Sequence, residues 1–96
     1  MKSFTFEKFQ EALNESFVLR APHAEELKLQ LVEVEDLTTR SGGDQSSFSA
    51  TFRGPITPWA KQHTYEVESE RLGRFDVFIV PFGVDRHGML YEAVFS

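Results

Sequence analysis

The sequence predicts a mainly β fold: an antiparallel sheet of about six strands curled into a small barrel or roll, with one short N-terminal helix packed on it. An α+β arrangement is the alternative. Three observations carry this expectation. Short alternating apolar stretches recur at fairly even spacing and are punctuated by turn residues. Only the opening segment has helical periodicity. The segment from Leu72 to Phe95 reads as a hairpin whose strands are apolar on both faces. Phe75, Val77 and Ile79 point one way, while Phe78, Val80 and Phe82 point the other. A strand with one wet face alternates apolar with polar residues, so the hairpin is expected to be covered on each side.

The helix is expected over residues 5–13. Thr5 caps it, Glu7 suits the positive end of the helix, and Phe4 staples onto Phe9 across the cap. Phe6, Phe9 and Leu13 fall on one stripe, with Ala12 beside them, and Asn14 is a left-handed stop. So short a helix is not stable alone, and it must dock its phenylalanines on the C-terminal hairpin.

Strands are expected at about 16–20, 26–35, 47–53, 63–69, 74–82 and 89–95, within a single domain spanning residues 1–96. Phe17 and Leu19 face inward on the first, and Pro22-His23-Ala24 ends it. Leu27, Leu29 and Leu31 alternate on the second until the phase slips at Val32 and resumes at Val34. Such a slip predicts a β-bulge, which bends a strand and suits a curled sheet. Thr38 to Ser47 is a polar loop. Phe48, Ala50 and Phe52 alternate on the third strand, Gly54 to Trp59 forms a constrained connection, and Tyr65 and Val67 carry the fourth strand. Glu70-Arg71-Leu72-Gly73 and Asp85-Arg86-His87-Gly88 each end a tight turn on glycine.

Several of these stretches together resemble a family of small bacterial single-domain proteins, about 100 residues long, whose function is unknown. They are Ser16-Phe17-Val18-Leu19, Leu29 to Val34, Phe48 to Pro55, Tyr65-Glu66-Val67-Glu68, Leu72-Gly73, Phe78-Ile79-Val80-Pro81 and Tyr91-Glu92-Ala93-Val94-Phe95. The resemblance spans nearly the whole chain and supplies no catalytic residues. It implies a loose association with phage-tail-like gene neighbourhoods, and hence an assembly or accessory role.

Composition excludes several functions. Ten basic residues against fifteen acidic ones give a net charge of −5. The basic residues are scattered, which weighs against nucleic acid and anionic membranes. The chain has no cysteine, which removes disulfides and thiolate metal sites. No apolar leader follows Met1-Lys2 and no stretch is long enough to cross a bilayer, so the cytoplasm is the expected location.

Chemical motifs are sparse. His23, His63 and His87 show no chelating spacing, so neither a metal nor a cofactor is expected. No serine lies in G-x-S-x-G, and Ser41-Gly42-Gly43 lacks the remainder of a phosphate loop. Glu33 and Glu35 share one side of their strand, and Glu66 and Glu68 share one side of theirs. Were those strands neighbours, the four carboxylates would form an acidic stripe able to hold a basic partner. Trp59 is expected to plug one end of the barrel, its other placement being an exposed interface anchor.

These features point first to a non-enzymatic protein-interaction or assembly-accessory module. In one version it forms homodimers through the hairpin face that the helix leaves bare. The second reading is an acidic inhibitor or immunity-type protein acting through Glu33, Glu35, Glu66 and Glu68. The third is a small enzyme or ligand carrier, which would need His63, His87 or Tyr91 gathered with a carboxylate in a deep pocket.

Overall fold

Thr5 starts the fold by capping a helix, its side-chain oxygen accepting a hydrogen bond from the Lys8 N–H at 3.2 Å. The computed structural model describes residues 5–21, 26–37 and 47–95. The expected Phe4 staple, the Pro22-His23-Ala24 break and most of the Thr38–Ser47 loop lie outside them. Within them, α1 (Phe6–Glu11) precedes β1 (Ser16–Arg20), β2 (Leu27–Asp36), β3 (Phe48–Gly54), β4 (His63–Ser69), β5 (Gly73–Asp85) and β6 (Gly88–Phe95). The helix is shorter than expected: its backbone leaves helical geometry at Ala12. Asn14, at φ 71, takes the left-handed conformation expected of it. No described helix is long and apolar enough to cross a membrane.

The six strands form a closed antiparallel barrel in the order β1-β2-β3-β6-β5-β4, with β4 returning to β1. The sheet is therefore a barrel rather than an open roll. Val32 is the extra residue of the expected bulge: Leu31 faces Phe52 and Glu33 faces Thr51, with Val32 between registers. The chain uses this bulge to leave the helix. Asn14 N–H donates to the Leu31 carbonyl at 2.7 Å, and Leu31 N–H donates to the Glu15 carbonyl at 3.1 Å. The backbone groups of the bend are thus paired with the α1–β1 connection.

Alternation fills the interior. Phe17, Leu19, Leu29, Leu31, Phe52, Val67, Ile79, Tyr91 and Phe9 are fully buried. The helix plugs one mouth of the barrel with Phe9. Its ring centre lies 4.8 Å from Phe95, 5.2 Å from Phe48, 5.9 Å from Phe75 and 6.3 Å from Phe17. Phe48 and Phe95 stack at 4.8 Å with planes 10° apart. The expected docking of helix on hairpin is present, but on the hairpin's inward residues, Phe75 and Phe95.

The opposite mouth is closed by the β3–β4 connection. Ala60 is buried, and its N–H donates to the Tyr91 hydroxyl at 2.8 Å. The Tyr65 hydroxyl donates to the Lys61 carbonyl at 2.7 Å. Burial pushes both phenols above their ordinary pKa. At the β5–β6 turn, Asp85 Oδ1 accepts from His87 N–H and Gly88 N–H at 2.8 and 3.0 Å. Gly88 has φ +152, and a Cβ there would stand 2.1 Å from the Gly54 carbonyl oxygen, so glycine is required by space as well as by conformation.

Candidate functional site

The acidic residues do not assemble into one stripe. β2 and β4 flank β1 on opposite sides, which separates Glu33 and Glu35 from Glu66 and Glu68. Glu33 and Glu35 face Thr51 and Ser49 of β3 instead. β1 also brings Arg20 to the second pair. Its Nη1 lies 2.6 Å from Glu68 Oε1 and 3.5 Å from Glu66 Oε2, while Nε reaches Glu26 Oε2 at 2.9 Å. Arg74 adds a second cation 3.6 Å from both Glu66 and Glu68. The hydrogen bond from Arg20 holds the Glu68 carboxyl below its ordinary pKa. Sequence spacing identified the carboxylate pair but not the arginines, because strand order is a non-local property.

Trp59 is half exposed and does not plug the barrel. Fixing the backbone of Ala60 and Lys61 on the two tyrosine hydroxyls places small Ala60 inward and turns its neighbour outward. Trp59 thus takes the exposed placement, in a connection that includes a cis Thr57–Pro58 peptide and an exposed Ile56.

The histidines and tyrosine considered for catalysis do not converge. Tyr91 is fully buried and committed to Ala60. His63 is exposed on β4, edge-on to Tyr65 at 5.4 Å. His87 is exposed in the β5–β6 turn. His23 lies outside the described residues. Among the described residues, no group of three or more His, Asp or Glu stands close enough to hold a metal ion.

Two of the open grooves on the described surface carry charged side chains. The larger, about 770 Å³, is lined by Glu15, Val18, Glu68 and Arg71, among others. Arg71 forks onto Glu15, with Nη2 2.6 Å from Oε2 and Nε 3.0 Å from Oε1, so the charges there satisfy one another. The smaller, about 350 Å³, includes Lys28, Gln30, Arg53 and His87. Its Arg53 is held by Asp85 at 2.7 Å, and Arg53 Nε is buried without a hydrogen-bond partner.

The distinctive surface is the outer face of β5 and β6. Phe78, Phe82 and Val94 are 50%, 56% and 56% exposed, with Val80 and Leu90 half-buried on the same pair of strands. Val84, also exposed, pairs with core-facing Met89 and lies on the other side of the sheet. The expected cover on this side of the hairpin is absent among the described residues. A second bulge shapes the face. Pro81 faces Tyr91 and Gly83 faces Leu90, so Phe82 is the extra residue and projects to solvent. β5 also overruns β4: their register ends at His63–Ile79, and, among the described residues, 80–85 pair only with β6. Glu92 sits directly opposite Val80 on this face, flanked along β6 by Leu90 and Val94. Asp76 lies farther along β5, opposite Glu66. The doubled apolar pattern of the sequence already pointed to these residues, although not to their exposure.

Residues 4–95 match DUF6916, described as a domain of unknown function. No curated protein and no solved structure matches the chain.

Proposed function

The chain belongs to the DUF6916 family of domains of unknown function, and we propose that it acts as a binding module rather than a catalyst, through the outer face of β5 and β6. One observation carries this reading: Phe78, Phe82 and Val94 stand half exposed or more together on one hairpin, whereas the exposed Leu13, Ile56 and Trp59 lie outside it. Apolar residues gathered on one surface are a mark of association. Among the described residues His63, His87 and Tyr91 are dispersed, and Glu68, Arg53 and the Arg71–Glu15 pair beside the two grooves are each held in ion pairs. An assembly-accessory role in a phage-tail-like bacterial setting is one form of this reading, since such a part works by protein contacts.

The test compares the full-length protein with a Phe78→Ser/Phe82→Ser variant in affinity capture from the native host, followed by reconstitution with the purified captured protein. The expected result is saturable binding that the double variant loses while keeping its thermal melting point. Equal binding by both proteins would overturn the assignment of this face.

A further inference from the structure

We propose that the outer face of β5–β6 receives a segment of another protein in which a lysine or arginine is flanked by large apolar side chains. The cation sits opposite Glu92, and the apolar groups lie against Phe78, Phe82 and Val94. This deepens the reading above and rests on it.

Three features select this occupant over a second copy of the chain. The first is charge. Glu92 stands within the apolar face and, like Asp76 beyond it, has no ion-pair partner among the described residues. Two copies meeting through this face about an axis near Glu92 would bring their two Glu92 carboxylates together, on chains that each carry a net charge of −5. A partner cation removes that cost and converts it into an attraction.

The second is area. Given their fractional exposures, Phe78, Phe82 and Val94 offer roughly 300 Å² of surface. A stable dimer of ordinary size buries about 800 Å² per partner, and obligate homodimers bury more. The face is therefore scaled to a short segment.

The third is the strand edge. Among the described residues, 80–85 have no strand partner on the β4 side, but Pro81 lacks an N–H and the Phe82 bulge interrupts the ladder. Both features oppose the addition of a strand. Recognition then falls to side chains on the face, where shape and charge set specificity.

The experiment selects random displayed peptides of about twelve residues on the immobilised full-length protein. Enriched peptides are then synthesised and their affinities measured by fluorescence polarisation. The expected peptides carry Lys or Arg among Leu, Phe or Ile. Phe78→Ser/Phe82→Ser should weaken binding more than about fiftyfold, and Glu92→Gln about tenfold. Replacing the peptide's cation by norleucine should cost wild type as much as Glu92→Gln does, and should cost the Glu92→Gln variant little more. All three substituted residues lie on the surface, and unchanged melting points confirm that the variants fold.

Peptides that need Phe78 and Phe82 but are indifferent to Glu92 would overturn this inference and leave the proposed binding face standing. Peptides indifferent to all three residues would overturn both. A selection that enriches no basic-apolar peptides, or sedimentation of the wild type as a dimer at micromolar concentration, would also overturn the inference.

Discussion

β5 has two faces of nearly equal hydrophobicity and opposite fates. Inward, Phe75, Val77 and Ile79 are buried, with Phe75 in the aromatic cluster around Phe9. Outward, Phe78 and Phe82 are half exposed or more, and nothing among the described residues packs over them. Composition alone does not distinguish the two sets. Closure of the barrel does, since a closed sheet has one interior, and the single short helix fills its mouth instead of lying across its back. An apolar outer face costs solubility and contributes little to folding, so the comparison separates residues that hold the fold from residues that act on other molecules.

The largest expected difference lies at the plug. Phe9→Ala should destabilise the protein by about 3–5 kcal/mol, because the small domain cannot collapse around a cavity bounded by Phe48, Phe75 and Phe95. Urea unfolding followed by circular dichroism measures this. A loss below about 1 kcal/mol would mean that the helix is an ornament on the barrel. Next comes the other mouth, where Tyr91→Phe leaves the buried Ala60 N–H without its acceptor. The expected cost is about 1–3 kcal/mol, read from the same unfolding curves. The double variant Phe78→Ser/Phe82→Ser should change stability by less than about 1 kcal/mol while abolishing partner binding. That pairing of small stability change with large binding loss sharpens the comparison most.

The smallest effect is electrostatic. Arg20, Arg71 and Arg53 hold Glu68, Glu15 and Asp85 below their ordinary pKa values of 4.5, 4.5 and 3.8. A depressed folded-state value means that the unfolded chain takes up protons first as pH falls. The stabilisation is therefore complete above the ordinary carboxylate range and is lost as pH falls through the lower folded values. These pairs are solvated, so the effect is modest. Glu68→Gln should flatten the acid side of a plot of urea midpoint against pH and leave the slope near neutrality unchanged.

Much of the fold was legible because local patterns encode it. The broken alternation at Val32 announced the β2 bulge, Asn14 announced the end of the helical segment, and Gly73 and Gly88 marked turns where φ is positive. The Phe82 bulge was announced only by Pro81, a residue that strands tolerate at irregularities, and the run of apolar residues around it concealed the register shift. Trp59 was misplaced because an aromatic residue in a constrained loop suits a plug, whereas the hydroxyls of Tyr65 and Tyr91 fix the neighbouring backbone and leave that role to Ala60. The acidic stripe failed for a topological reason. Which strands flank β1 depends on how the ends of the sheet meet, and no local spacing records that.

The outer face occupied an intermediate position. The sequence showed that Phe78, Val80 and Phe82 form a second apolar row, and chemistry required something to cover them. It did not reveal that α1 would be used elsewhere, on Phe75 and Phe95. The residue pattern thus located the candidate surface, and three-dimensional closure assigned it to solvent.

Hydroxyl-radical footprinting of the isolated monomer, read by mass spectrometry at single phenylalanines, tests the central contrast most directly. Strong labelling of Phe78 and Phe82 together with protection of Phe9 and Phe75 is the expected result. Protection of Phe78 and Phe82 to the same degree as Phe75, in a protein that sediments as a monomer, would contradict it.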